Sequence, residues 1–233
     1  MPSLTAVAVA SARALASTTR AAECDPHDSA ALALLPRPIE NALGALQASA
    51  RVLPWLPRAL SLASFGLVDH LALRSLVIDR ALQAGLARGL EQVVILGAGL
   101  DTRAHRLDAL RSAHVFEVDH PESQAHKRAR AGSVSLQAGE LTYVPVDFTR
   151  DSLQLELARH EHRADLPTFW IWEGVVPYLE RAAIRATLHA VTERSARGSE
   201  LAATYVTPSL VWMRRARVAV SFGFQSLGEP LRS

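Results

Sequence analysis

Cysteine is almost absent from the chain: Cys24 is the single thiol in 233 residues. One thiol excludes an intramolecular disulfide and any multi-cysteine metal site, and it fits a reducing compartment. Charge of one sign is scarce as well, since 25 Lys and Arg stand against 23 Asp and Glu for a formal net charge of +2. That balance lacks the basic excess that drives binding to a phosphate backbone, so nucleic acid is not expected as a main partner. No uncharged apolar run reaches the ~18 residues that a bilayer crossing needs. The alanine-rich start, Met1 to Ala16, has no basic leader before it and reads as an amphipathic helix rather than a signal peptide. A cytoplasmic protein without a membrane partner is expected. The composition is 49% hydrophobic and 21% charged, with 12 Gly and 12 Pro, far from that of a disordered chain. The length suits one large domain, or one domain with an appended cap.

The first 90 residues lack strand alternation and read as helices punctuated by proline. A helix is expected from Thr5 to Thr19, with breaks at Asp25-Pro26, Pro36, Pro38, Pro54 and Pro57. From Val68 to Leu86 the apolar residues recur near helical spacing, with Arg74, Asp79 and Arg80 among them. At Gln92 the period changes. Val93-Val94-Ile95-Leu96 is a β-branched apolar run closed by Gly97-Ala98-Gly99, as expected of a strand buried on both faces. Further runs occur at Val115 to Val118, Thr142 to Val146, Thr168 to Trp172 and Leu201 to Val206. Helical stretches lie between them at about Pro121 to Ala131, Asp151 to His160 and Arg181 to Arg194. Alternating strands and helices predict an α/β fold: a doubly wound, mainly parallel, Rossmann-like sheet with helices on both faces. The expected division is a helical cap over residues 1–88 and an α/β core over residues 89–233.

Ligands of such sheets sit at the carboxyl ends of the strands, and the turn after the first strand makes the closest approach. Gly97-Ala98-Gly99 occupies that turn, with Asp101 expected to begin the next helix. A dinucleotide fingerprint would place glycine where this chain has Thr102. Asp119 follows Gly99 by 20 residues and ends the second strand. There an acidic side chain can accept both hydroxyls of an adenosine ribose, or it can cap the helix starting near Pro121. Asp147 closes the third strand beside Phe148; it can accept an adenine amino group or serve as an N-cap.

These strings resemble the leucine carboxyl methyltransferase-like family of class I S-adenosylmethionine-dependent enzymes, in particular its bacterial branch. The resemblance is carried by Val94 to Arg103 (including Gly-Ala-Gly-Leu-Asp-Thr-Arg), Phe116 to Pro121, Val146-Asp147-Phe148 and Trp172 to Leu179. It implies S-adenosylmethionine as methyl donor and a small-molecule acceptor. Position by position, it implies that Arg74 reaches the methionine carboxylate, that Gly97, Ala98 and Gly99 line the methionine, and that Asp119 holds the ribose. Asp147 and Phe148 would flank the adenine, and Glu173 would lie close to the methionine amino group and the acceptor. No residue stands out as a catalytic base, and the acceptor expected is a carboxylate or an acidic hydroxyl. In the family, the string matching Gly228-Glu229-Pro230 is followed by a last helix and an antiparallel strand pair, so five strands and an inactive remnant are also consistent with this chain. A nicotinamide-dependent oxidoreductase would share the first turn and Asp119, but Thr102 and the lack of a second nucleotide-type half disfavour it.

Other candidates are weaker. His160-Glu161-His162 lacks the i, i+4 helical spacing of a zinc pair, so no metal site is expected. His105, His114, His120 and His126 are scattered, Trp170 and Trp172 read as core, and Met213 to Arg217 reads as a solvated helix face.

Overall fold

The computed structural model describes residues 3–16, 28–53 and 55–205. Cys24, the Asp25-Pro26 break, Pro54 and the Met213 to Arg217 stretch lie outside the described residues. Four shorter helices precede a long one: α1 (Leu4–Ala16), α2 (Ser29–Leu34), α3 (Arg37–Val52), α4 (Leu56–Ala63) and α5 (Leu67–Ala87). Asp28 caps α2, its Oδ1 accepting from the Ala31 amide at 2.9 Å. Pro36 stands as the cap residue of α3, but Pro38 does not break the chain. It lies in the first turn of α3, where the N–H that proline lacks would have no helical partner.

The alternating part then follows: β1 (Gln92–Leu96), α6 (Arg103–Arg106), β2 (His114–Asp119), α7 (Pro121–Ala131), β3 (Glu140–Pro145), α8 (Leu153–Arg159), β4 (Thr168–Trp172), α9 (Arg181–Glu193) and β5 (Glu200–Ala203). The five strands among the described residues pair in parallel, in the order β3-β2-β1-β4-β5. The fold is therefore α/β and Rossmann-like, as the alternation of runs predicts. One local expectation fails. Asp101 does not open a full helix: α6 spans only 4 residues, and a 3-10 turn at Asp108–Leu110 follows it. Leu107 leaves helical geometry at φ −95° and ψ 105°, and Ala104, Leu107 and Leu110 tuck under the sheet.

Two apolar clusters sandwich the sheet. On one face Ile78 and Leu82 of α5 pack against Val93, Ile95, Val115 and Ile171. On the other, Val94, Phe116, Val118 and Trp170 meet Leu157 of α8 and Val191 of α9. Trp170 and Trp172 are both buried, and the Trp170 indole N–H donates to Ser195 Oγ at 2.9 Å. A third cluster joins α1 and α2 to Leu100 after β1 and Ala131 of α7, so the first helices close over the carboxyl edge of the sheet. No described helix is long and apolar enough to cross a membrane.

Candidate active site

The chain leaves β1 toward β2 on one side, and its later strands β4 and β5 lie on the other. The carboxyl ends of the central strands therefore open into the crevice where doubly wound folds bind ligands. A cavity of about 470 Å³ lies there. Its walls come from α1 (Ala6, Val9, Arg13), from Arg74 of α5 and from the turn after β1; Asp119, Phe148 and Glu173 complete them.

The turn is closed by the Asp101 amide donating to the Ala98 carbonyl at 2.7 Å. Gly97 has φ +65° and Gly99 φ +49°, a region that side chains with a Cβ rarely enter. Space is restricted too: a Cβ on Gly97 would clash with Val175 Cγ2, and one on Gly99 would lie 3.2 Å from Ala6 Cβ. Asp119 faces this turn. Its Oδ2 accepts from the Gly99 amide and its Oδ1 from the His120 amide at 2.6 Å. Burial raises the Asp119 carboxyl, while the two amides and then Lys127 pull it down. The N-cap of α7 is His120, through its ring nitrogen, so the capping alternative for Asp119 does not apply.

Glu173, just past β4, is tied down on both oxygens. Oε1 accepts from Arg74 Nε at 2.7 Å and Ser75 Oγ at 3.1 Å, and Oε2 from Arg103 Nη2 at 2.7 Å. Burial would raise its carboxyl, but Arg103 and then Arg74 outweigh that effect and hold it at about 2. Arg103 is fully buried and also binds Asp79 at 2.6 Å and the Asp101 carboxylate. Burial likewise opposes the charge on Asp101, yet Arg103 and Arg13 keep it well below the usual carboxylate range. Arg13 donates from Nη2 to the Leu100 carbonyl at 2.6 Å, and its Nε has no hydrogen-bond partner among the described residues.

Seven of the eight positions singled out in the sequence therefore line one cavity: Arg74, Gly97, Ala98, Gly99, Asp119, Phe148 and Glu173. Asp147 is the exception. Its carboxylate folds back on its own loop, accepting from the Thr149 amide at 2.9 Å, Thr149 Oγ1 at 2.6 Å and Arg150 Nε at 2.9 Å. Those donors, Thr149 first, lower its carboxyl. It does not act as an N-cap either, because α8 starts from Ser152. Sequence reasoning gave no role to Arg13 or Arg103. Arg103 belongs to the Gly-Ala-Gly-Leu-Asp-Thr-Arg string, but two of its three carboxylate partners lie 24 and 70 residues away. No cluster of three metal-ligating side chains occurs among the described residues. His162 turns inward instead, against Phe116 and Trp170.

Comparison with known proteins identifies the family. A protein of Mycobacterium ulcerans (strain Agy99), named "Putative S-adenosyl-L-methionine-dependent methyltransferase", is 40% identical over 139 residues, 58% of this chain and 44% of that protein. A protein of the same name from Mycolicibacterium gilvum is 35% identical over 167 residues, 71% of this chain and 52% of its own length. The chain spans about half the length of the curated relatives it matches. A crystal structure described as a "putative methyltransferase" from Thermobifida fusca YX shares the fold, with a TM-score of 0.56 at 21% identity over 76% of this chain and 69% of that one. The model of the leucine carboxyl methyltransferase family matches residues 6–192, most of the chain and every cavity-lining strand end, and the protein belongs to that family.

Proposed function

We propose that the cavity binds S-adenosyl-L-methionine and that the protein transfers its methyl group to an oxygen of a small molecule. The observation that carries this reading is the convergence of Arg74, the Gly97-Ala98-Gly99 turn, Asp119, Phe148 and Glu173, from separate elements, on one crevice. The residues present fit such a ligand. Two glycines at positive φ leave backbone rather than side chain against it, and Asp119 offers carboxylate lone pairs to a ribose diol. Phe148 supplies an apolar wall for a base. With its Nε committed to Glu173, Arg74 has its outer guanidinium nitrogens for a carboxylate. In this reading Glu173 orients Arg74 from the cavity floor, and Asp147 shapes the loop that presents Phe148.

Bound there, the cofactor supplies a methyl group on a sulfonium centre, activated for in-line displacement. The chain supplies alignment and exclusion of water, with α1 closing over Gly99 through Ala6. Two of the carboxylates lining the cavity are poor proton acceptors. Glu173 and Asp101 are held ionised by arginines and are weak bases near neutral pH. An acceptor that arrives already ionised needs none. This supports a carboxylate or acidic hydroxyl as the methylated group.

Calorimetry with S-adenosylhomocysteine and with a nicotinamide dinucleotide tests the site, and formation of S-adenosylhomocysteine with carboxylic acids and phenols tests the reaction. Micromolar binding of the nicotinamide cofactor alone would overturn the reading. Binding of S-adenosylhomocysteine without turnover across the panel would leave a cofactor-binding protein and refute the transfer step.

A further inference from the structure

Thr102 stands where a dinucleotide fingerprint has glycine, and the proposed chemistry assigns it no role. It is fully buried. Its hydroxyl donates to Asp28 Oδ2 at 2.6 Å and accepts from Arg106 Nε at 3.1 Å. A glycine at this position would leave the buried Asp28 carboxylate without that donor.

Asp28 belongs to the helical cap, 74 residues before Thr102. Its other oxygen accepts from the Ala31 amide, so one carboxylate both starts α2 and joins it to the segment after the glycine turn. The Nε atoms of Arg13 and Arg106 each stand 3.6 Å from Oδ2. Arg13 comes from α1 and also holds the Leu100 carbonyl; Arg106 also binds Asp79 of α5 at 2.6 Å. Asp28 is therefore the point at which α1, α2, α6 and the chain leaving β1 meet.

The far end of α2 is pinned as well. Arg130 of α7 donates from Nε and Nη2 to the Ala33 carbonyl at 3.0 and 2.7 Å. Between the two pins, Ala31, Leu34 and Leu35 share an apolar cluster with Val7, Ala10 and Ala14 of α1. The adjoining stripe of α1, Ala6, Val9 and Arg13, lines the cavity. Most of the apolar side chains that α1 brings to these contacts are alanines, and an alanine buries little apolar area. Directional bonds must therefore set where α1 sits over Gly99.

We propose that Asp28 and Thr102 are positioning residues: their contact clasps the helical cap to the glycine turn, fixes α1 as the cavity wall and sets how long a ligand stays inside. The clasp itself needs no ligand; its consequence for residence time rests on the proposed cofactor. A ligand enters before α1 settles on the turn and leaves only after α1 lifts. Loosening the clasp therefore speeds release and leaves entry unchanged.

The test is amide hydrogen exchange of the full chain without ligand, comparing α1 with α9 on the far side of the sheet. In Thr102→Val the α1 amides exchange about tenfold faster or more, as loss of a hydrogen bond to a charged group predicts, while α9 keeps its wild-type protection. Asp28→Asn, which retains one oxygen for the α2 cap, has the same effect. The double variant is no faster than the faster single one, because both remove a single contact. Thr102→Ser restores the hydroxyl and matches the wild type. Unchanged α1 exchange in Thr102→Val, equal acceleration in α9, or failure of serine to restore protection overturns the inference. In parallel, surface plasmon resonance with S-adenosylhomocysteine shows dissociation from Thr102→Val about tenfold faster at an unchanged association rate; an unchanged dissociation rate overturns the effect on residence. If the wild type binds none, the proposed function fails, and exchange in α1 still decides the clasp.

Discussion

The two faces of the sheet are built on different physical terms. Toward α8 and α9 the interior is almost wholly apolar; His162 sits buried among Phe116 and Trp170, and His114 stacks on Phe116 at its margin. Toward α5, α6 and α7 the core carries buried charges in sets: Arg103 among three carboxylates, and Lys127 on Glu117. The apolar face can be assembled by burial alone. The charged face requires partners from α5, the turn after β1, β2, α7 and the segment after β4 to arrive together. That is also the face from which Arg74, Asp119 and Glu173 reach the cavity. The difference shows where the molecule gives up cheap packing for fixed polar geometry.

The contrast breaks hardest at Arg103. Arg103→Met strands Asp79, Asp101 and Glu173, and costs about 3 to 5 kcal/mol in urea unfolding. Titration then sharpens it, because between about pH 4.5 and 7 one buried group on each face, His162 and Glu117, responds to pH in the opposite sense. On the apolar face burial, helped by Arg194, lowers His162 to about 4. The unfolded chain therefore binds this proton first, and stability falls as pH drops from about 6.5 toward 4, by about 3 kcal/mol at most. His162→Phe removes that slope in denaturation curves taken across the range. Glu117 on the charged face is raised by burial, so its contribution is present in acid and fades as pH climbs toward 7.

At the cavity, Asp119→Ala weakens S-adenosylhomocysteine binding by about 2 to 3 kcal/mol in calorimetry, with the fold intact. Gly97→Ala costs about 1 to 3 kcal/mol of stability, from a strained φ and a clash with Val175, and thermal melting reads it. Asp147→Ala has the smallest effect, at most about 1 kcal/mol on binding, since its bonds are local to an exposed turn.

The sheet was legible because each strand is a short apolar run bounded by turn residues, and the β1, β2 and β4 runs keep their predicted positions to within a residue. Asp119 and the glycine turn were legible because both lie at strand ends, where sequence position nearly determines spatial position. Arg103 and Arg13 were not. A buried arginine looks like a surface one until its carboxylates are brought in from helices and loops far along the chain. The shortness of α6 escaped notice for a related reason: Ala104, Leu107 and Leu110 keep a spacing that a helix or a pair of tight turns can satisfy equally. Asp147 illustrates the reverse case. Its position at a strand end is right for a ligand contact, yet Thr149 and Arg150 offer it closer partners.

The tryptophans of β4 have an optical consequence. Trp170 and Trp172 are shielded from water, and the Trp172 indole nitrogen has no hydrogen-bond partner among the described residues, whereas Trp55 is 60% exposed. Excited indoles in such different surroundings emit at different wavelengths, so β4 contributes a blue-shifted band and Trp55 a red-shifted one, while Trp212 lies outside the described residues. Trp172 adjoins Glu173 in sequence, which places a native fluorophore one residue from the cavity wall. The protein thus carries an internal reporter of both its folding and the environment at the end of β4, with no dye or label attached.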